Sequence, residues 1–239
     1  MWLIFIVNEA IENIFLRRKI LKHYRKHFNK KINLVIDVGA HSGQSIEFFL
    51  NLNSNCKIYS FEPNPRLYEK LAIKYSRNPN IHLFQLGISD KIGQKIFHEN
   101  ILDTTSTFEK LNVSSKWLLK KLKILGTKPH NIVTDSYPVE VTTLSYVIDQ
   151  IIKCDETIDI LKIDTEGHEY SCLVGLFDNH YHYDIEYIQI ENHLDDMYLN
   201  RNPYEDIVEV LDNNGFETCL TVKHVFVNFD EVIFKKRNR

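Results

Sequence analysis

Ten residues near the start of the chain, LVIDVGAHSG from Leu34 to Gly43, constrain the fold most strongly. Three apolar residues lead into Asp37, two glycines follow, and an amphipathic segment begins directly after Gly43. This order predicts a buried strand, a tight turn and a helix N-terminus, because glycine permits sharp turns and a helix start offers unpaired N–H groups. Such a unit can cradle a nucleotide. The pattern DxGxxxG lacks the full GxGxxG sequence, so it is a weak indication on its own.

Apolar runs alternate with turn residues along the rest of the chain and predict strands interleaved with helices. This order indicates an α/β fold with a doubly wound, mostly parallel sheet, and a hairpin of the last two strands adds an antiparallel C-terminal edge. After the first strand, the predicted strands are Lys57–Phe61, Ile81–Leu86, Lys95–His98, Val139–Thr142, Ile158–Ile163, Ile185–Ile190, Phe216–Val222 and Val225–Phe234. The predicted helices are Leu67–Tyr75, Trp117–Lys123, Leu144–Ile152, Glu169–Phe177 and Pro203–Asn213.

The length of 239 residues allows one large domain or two small ones. We expect an N-terminal amphipathic helical segment over residues 1–29 and a domain over residues 30–239, with an insertion at about 99–137. The insertion is the least regular stretch and carries the hydroxyl-rich run TTSTF at 104–108. Insertions of this kind often lie over one end of a sheet and contact substrate, although a turn with solvated hydroxyls explains TTSTF equally well.

The N-terminal segment is the one part of the sequence that is ambiguous as a targeting signal. Residues 10–28 combine apolar side chains with six arginines and lysines, which predicts a basic amphipathic helix. This helix either packs on the domain edge or contacts a membrane surface or a partner. The apolar stretch Met1–Val7 is too short to span a bilayer, and no signal-peptide cleavage site follows it. We therefore expect a cytoplasmic protein, with peripheral membrane contact through residues 1–28 as the alternative.

Charge and cysteine content disfavour several classes of protein. The net charge of −3 provides no basic field that would attract nucleic acid. The four cysteines are far apart and form no CxxC pair, so we expect reduced thiols and no structural zinc site. Nothing in the sequence indicates an oligomeric state.

Five groups of polar residues follow directly after predicted strands. Glu62 comes 25 residues after Asp37, where a carboxylate can accept hydrogen bonds from ribose hydroxyls. The segment LKIDTEGHE at 161–169 places Asp164 and Glu166 at a strand end. Capping of the next helix would explain these two acids, but it gives no reason for His168. In a parallel sheet, all five groups meet at the ligand-binding edge. The groups are 37–43, 62, 87–90, 164–168 and 191–193.

The chain carries the motifs IDVGAHSG at 36–43, FEPNP at 61–65, GISD at 87–90, VTTL at 141–144 and LKIDTEGHE at 161–169. In order and spacing, these motifs resemble those of the FkbM family of S-adenosylmethionine-dependent methyltransferases. The resemblance covers roughly residues 30–195, and FEPNP and LKIDTEGHE are far more specific than the glycine turn. It implies the seven-stranded, Rossmann-like class I methyltransferase fold and methylation of oxygen on sugars or other small natural products.

The resemblance also implies roles for individual residues. Glu62 would hold the ribose of S-adenosylmethionine, and Asp164 would face its methionine moiety and sulfonium. The other expected cofactor residues are Asp37, Gly39, Ala40, His41 and Gly43 around the methionine, Pro63 and Asn64 at the adenine rim, and Ser89 and Asp90 beside the adenine ring.

Methyl transfer would proceed by in-line displacement at the sulfonium, so positioning is the main task of the protein. A hydroxyl nucleophile also gains from a base, and the candidates are His168, Glu166 and, third, His193. The sequence does not decide among them, since His168 also fits a capping or packing role. Asp164 and Glu191 could join these three as ligands of a divalent metal. Because loops bring such groups together by accident, a metal is not favoured.

Three other functions compete with O-methylation of a small molecule or glycan. A protein or nucleic-acid methyltransferase that modifies amino groups would carry N/D-P-P-Y/F after the fourth strand, where this chain has DTEG. A nicotinamide-dinucleotide binder would leave LKIDTEGHE unexplained. A non-catalytic cofactor-binding module would not require all of the acidic residues that follow the predicted strands, so their presence disfavours it. The acceptor itself is not readable from the sequence.

Overall fold

The computed structural model describes residues 16–28, 31–101, 105–153, 156–177, 183–224 and 228–237. Helices and strands alternate through these residues. The strands are β1 (Leu34–Val38), β2 (Lys57–Phe61), β3 (Ile81–Phe84), β4 (Gly87–Ile88), β5 (Gly93–Asn100), β6 (Val133–Thr142), β7 (Ile158–Ile163), β8 (Ile185–His193), β9 (Phe216–Lys223) and β10 (Phe229–Lys236). The helices are α1 (residues 16–27), α2 (Gln44–Leu52), α3 (Pro65–Tyr75), α4 (Lys116–Leu125), α5 (Leu144–Tyr146, continued by a π-helical turn over Val147–Ile152), α6 (Glu169–Phe177) and α7 (Tyr204–Asn213).

Seven strands form the main sheet in the order β3-β2-β1-β7-β8-β10-β9. The five strands from β3 to β8 are parallel, and β10 and β9 add an antiparallel edge. The chain reverses its direction of winding between β1 and β7, and a ligand crevice forms outside the carboxyl ends of strands at such a point. The predicted α/β class and antiparallel edge are confirmed.

A second, three-stranded sheet in the order β4-β6-β5 stands beside the main sheet. The sequence predicted only parts of β5 and β6 and no strand at 87–88, whereas Gly87 and Ile88 pair with β6. Most of β6 is exposed, so it lacks the apolar alternation that identifies a half-buried strand. Backbone pairing with β5 holds it as a strand, and Pro138 lies within it.

Burial follows the position of each strand in the main sheet. All five residues of β1 and all six of β7 are buried, as expected of central parallel strands covered on both faces. Helix α1 packs through Leu16, Ile20 and Tyr24 on one face, and the Tyr24 hydroxyl donates a 2.8 Å hydrogen bond to Gln189 Oε1. The described part of the amphipathic segment therefore lies on the domain.

The remaining expectations for the N-terminus concern residues outside the described part. The apolar stretch Met1–Val7 and residues 10–15 lie there, so contact with a membrane or a partner stays a prediction. Among the described residues, no helix combines the length and the apolar character needed to cross a bilayer.

The turn after β1 sets a strict limit on residue size. Gly39 has a φ of +88°, and a Cβ at this position would lie 1.8 Å from the carbonyl oxygen of Asp164. We expect Gly39→Ala to lower the free energy of unfolding by about 3 kcal/mol or more, because it adds a backbone clash to an unfavourable φ. Urea unfolding followed by circular dichroism measures the loss.

Gly126→Ala is the matched control for this substitution. Gly126 has a φ of +68°, but nothing lies within 4 Å of a Cβ added there. Only the backbone penalty applies, so we expect a loss of about 1 kcal/mol. Equal losses for the two variants would show that the contact between Gly39 and Asp164 does not constrain the turn.

Candidate active site

A cavity of about 420 Å³ opens at the carboxyl edge of the main sheet, where the chain reverses its winding. This volume lies within the range of small-molecule sites. The ends of β1, β2, β7 and β8 form its floor, while α1 and the insertion form its walls. Of the predicted site residues, those that line it are Gly39, Ala40, His41, Glu62, Pro63, Asp164, Glu166 and His193.

Asp37 lies behind the cavity rather than in its wall. Its side chain is fully buried, and Oδ2 accepts hydrogen bonds of 2.7 Å from both Ser45 Oγ and Ser60 Oγ. Burial raises the pKa of the Asp37 carboxyl, an effect that the Lys162 ammonium opposes. Gly43, the N-cap of α2, also stays outside the lining and packs against Leu71. Both residues fix the turn, which itself faces the cavity.

Glu62 connects the turn after β1 with the tip of β2. Its Oε2 accepts a 2.7 Å hydrogen bond from the His41 amide, and its Oε1 accepts one of 2.9 Å from the Asn64 amide. The side chain is only 5% exposed, and burial raises its pKa to about 7. Asn64 does not line the cavity but caps α3, where Oδ1 accepts from the amides of Arg66 and Leu67.

Asp164 lines the cavity beside Lys162, a residue that the sequence did not predict for the site. Lys162 Nζ lies 2.6 Å from Asp164 Oδ2, and both side chains line the cavity. Burial alone would raise the pKa of Asp164, but the Lys162 ammonium holds it below its usual value. Lys162 is the penultimate residue of β7, so a charged residue within an otherwise apolar run was the available signal.

Ser89, Asp90 and His168 form a cluster of their own outside the cavity lining. The His168 ring is 2% exposed; its Nε2 lies 2.9 Å from Ser89 Oγ, and its Nδ1 lies 2.7 Å from Glu109 Oε1. Ser89 Oγ also lies 2.8 Å from Asp90 Oδ1, and Lys95 pairs with the same carboxylate at 3.2 Å. Both ring nitrogens of His168 are thus occupied, which favours a structural role over proton abstraction.

Glu166, Glu191 and His193 converge on one side of the cavity. His193 Nε2 lies 3.7 Å from Glu166 Oε2 and 3.6 Å from Glu191 Oε1, and the Tyr198 hydroxyl donates to Glu166 Oε2. Burial raises the pKa of Glu166 to about 8 and that of Glu191 well above its usual value. Burial also lowers the pKa of His193 to about 3. The imidazole is therefore neutral and lies beside two carboxyls.

The insertion reaches this side of the cavity. Thr105, Ser106 and Thr107 of the TTSTF run line it, while Thr104 lies outside the described residues. Thr107 Oγ1 donates a 2.7 Å hydrogen bond to the carbonyl of Glu166 and thereby fixes the turn between β7 and α6. Further lining residues that sequence reasoning did not assign to the site are Arg17, Gln44, Phe48, Phe61, Phe97, Phe108, Trp117, Lys121, Gln189, Phe229 and Glu231.

Comparison with known proteins identifies the family. The model of the methyltransferase FkbM domain matches residues 37–218, about three quarters of the chain. The 2-O-methyltransferase NoeI of Sinorhizobium fredii (strain NBRC 101917 / NGR234) is 29% identical over 65 residues, which is 27% of this chain and 27% of that protein. The match thus spans about a quarter of this curated relative.

Solved structures show the same fold at low sequence identity. The magnesium protoporphyrin IX methyltransferase of Synechocystis PCC 6803, solved with bound S-adenosylmethionine, superposes with a TM-score of 0.51 at 10% identity, covering 96% of this chain and 82% of that one. A putative rRNA methylase from Clostridium thermocellum gives a TM-score of 0.50 at 11% identity, covering 92% and 94%. At these sequence identities, the similarity shows a shared fold only. From the match to the family model, the chain belongs to the FkbM methyltransferase family.

Proposed function

We propose that this protein is an S-adenosylmethionine-dependent methyltransferase that methylates a hydroxyl oxygen of a sugar, glycan or other small molecule. The observation that carries the proposal is the division of the cavity, which has the glycine turn and Glu62 on one side and Glu166, Glu191 and His193 on the other. The first side suits the cofactor and the second suits a hydroxyl that must lose a proton. The local similarity to a 2-O-methyltransferase supports oxygen as the methylated atom.

The cofactor is proposed to lie across the ends of β1, β2 and β7. Each Glu62 carboxylate oxygen accepts one amide hydrogen bond and retains a lone pair for a ribose hydroxyl. The turn Gly39–His41 would contact the methionine moiety, and the ionised Asp164 would face its ammonium and the sulfonium. Pro63 and the apolar stretch Leu86–Ile88 line the cavity and would flank the adenine, with Ser89 and Asp90 behind them.

The acceptor is proposed to enter on the side of the insertion. Thr105, Ser106 and Thr107 supply hydroxyls, and Trp117 supplies an apolar face. A sugar presents both hydroxyl groups and C–H faces, so this mixed wall suits it. Its reactive oxygen would lie between the methyl group and the Glu166–His193 pair. In-line displacement moves the methyl from sulfur to oxygen, the C–S bond electrons return to sulfur, and the hydroxyl proton leaves toward that pair.

Calorimetric titration tests the cofactor assignment directly. We expect micromolar binding of S-adenosylmethionine and of its demethylated product S-adenosylhomocysteine, and no binding of NAD. Turnover of sugar and glycan acceptors, followed by formation of S-adenosylhomocysteine, tests the methylated atom. Absence of binding by both adenosyl compounds would contradict the proposal, and turnover of proteins or nucleic acids instead of glycans would contradict its acceptor class.

Substitution of Glu62 tests the proposed ribose contact. We expect Glu62→Gln to weaken S-adenosylmethionine binding by about 1–3 kcal/mol at about pH 8, because charge-assisted hydrogen bonds are lost. The difference should shrink toward about pH 6, since the wild-type carboxyl, with its pKa of about 7, takes up a proton over this range. A pH-independent difference, or none, in calorimetry would refute the role of the Glu62 charge.

Two histidine variants distinguish a residue that acts in catalysis from one that stabilises the fold. We expect His193→Gln to reduce kcat by about 10²–10⁴-fold and to leave S-adenosylmethionine affinity unchanged, because His193 faces the proposed acceptor. His168→Gln should instead lower the free energy of unfolding by about 1–3 kcal/mol, since Glu109 and Ser89 lose a buried partner. Steady-state kinetics and urea unfolding measure both variants. A larger loss of kcat in His168→Gln would reverse the two assignments.

A further inference from the structure

We propose that Glu166, Glu191 and His193 bind a divalent cation of the Mg²⁺ or Mn²⁺ class on the acceptor side of the cavity. The site is defined by the positions of these three side chains alone. Its use in methyl transfer, where the cation would hold the acceptor hydroxyl, rests on the proposed function.

The spacing of the three side chains fits a shared cation. One ligand atom from each residue, two carboxylate oxygens and an imidazole nitrogen, can be chosen so that all lie within 4.8 Å of one another. The Nε2–Oε distances of 3.6 and 3.7 Å are too long for hydrogen bonds. Ligand atoms about 2.0–2.2 Å from one metal ion lie roughly 3–4 Å from each other, so these gaps match the space that an ion would fill.

The imidazole nitrogen of His193 provides an independent observation. Its side chain is more than nine-tenths buried, and Nε2 has no hydrogen-bond partner within the described residues. Buried polar atoms are normally paired, so an orphaned nitrogen requires an explanation. The Glu166 and Glu191 carboxyls lie 3.7 and 3.6 Å from it, and a cation between them would give all three side chains a common partner.

The charge balance around the cluster points the same way. Within the described part of the chain, no lysine or arginine forms an ion pair with Glu166 or Glu191. Lys162 is committed to Asp164 at 2.6 Å, and Arg201 donates to the backbone carbonyls of His193 and Asp195. Lys121 and Lys162 act on these carboxyls only from beyond ion-pair distance, so the partly buried Glu166 and the buried Glu191 lie close together without a paired cationic side chain, and a divalent ion would fill that place.

The donor set indicates the kind of ion and its chemistry. Two hard carboxylate oxygens and one imidazole suit Mg²⁺ or Mn²⁺ rather than an ion that prefers thiolates. Three protein ligands leave further coordination positions open toward the cavity. A hydroxyl bound there becomes more acidic, so the ion would promote loss of the acceptor's proton. His193 then acts as a ligand, and the proton of the acceptor hydroxyl passes to solvent water at the open side of the cavity.

Manganese binding to the full chain tests the site without cofactor or acceptor. The protein is first treated with EDTA and dialysed, and Mn²⁺ is then titrated while electron paramagnetic resonance follows the signal of free Mn²⁺. We expect one bound ion per chain with a dissociation constant below about 1 mM, and Mn²⁺ should raise Tm. Glu191→Gln and His193→Gln should each weaken binding at least about tenfold.

Asp195→Asn is the matched control. Asp195 lines the same cavity outside the cluster, and its Oδ1 accepts from the Met197 amide, a bond that asparagine can retain. We expect this variant to bind Mn²⁺ within about twofold of wild type. Glu191→Gln should fold without Mn²⁺, because it removes a buried carboxyl whose charged form burial disfavours; its melting temperature in EDTA verifies this.

Two results would overturn the proposal: no Mn²⁺ binding below about 1 mM, or equal weakening in Asp195→Asn and the cluster variants. The proposed function is tested separately, by titration of S-adenosylmethionine in EDTA. Cofactor binding without Mn²⁺ binding would refute the cation site and leave the methyltransferase assignment with His193 as the base. Mn²⁺ binding without cofactor binding would support the cation site and refute the cofactor assignment.

Discussion

The turn after β1 and the carboxyl end of β7 lie in direct backbone contact, and the cavity depends on this contact. Gly39 can approach the carbonyl of Asp164 because it has no side chain. The contact brings the glycine turn and LKIDTEGHE to the same place. The Asp37–Ser45–Ser60 hydrogen bonds and the bonds from His41 and Asn64 to Glu62 then lock the turn from behind and from the side. All of these hydrogen bonds join residues of the chain itself.

Charge is distributed unevenly over the cavity. Asp164 keeps its charge beside Lys162, whereas burial favours the neutral forms of Glu62, Glu166 and Glu191. A cationic ligand would reverse that preference, because a nearby positive charge stabilises a carboxylate. The cavity wall therefore holds carboxyls whose charge state depends on what occupies it. Paired titratable groups in contrasting environments are typical of catalytic sites.

The sequence was sufficient for the parts of the fold that follow apolar runs. Lys57–Phe61, Ile158–Ile163 and Glu169–Phe177 have the bounds predicted for them, since each is bordered by polar or turn residues. β6 was predicted only in part, because pairing with β5 rather than burial maintains it. For the candidate site, motifs located the correct edge of the sheet but not the direction of each side chain. His168 illustrates the limit: one residue beyond the Gly167 turn, its ring points to Ser89 instead of the cavity.

Helix α1 forms part of the cavity wall through Leu16, Arg17 and Ile20, and Arg17 Nη2 donates a hydrogen bond to Gln44 Oε1 at the start of α2. A molecule that fills the cavity therefore touches α1 and the sheet at once. Such a molecule binds the docked helix more tightly than an undocked one, so occupancy and docking are thermodynamically linked. Docking of the N-terminal helix and binding of the ligand therefore strengthen each other. Any change that weakens packing of the helix lowers the affinity of the cavity for its ligand, although the helix forms only one wall of that cavity.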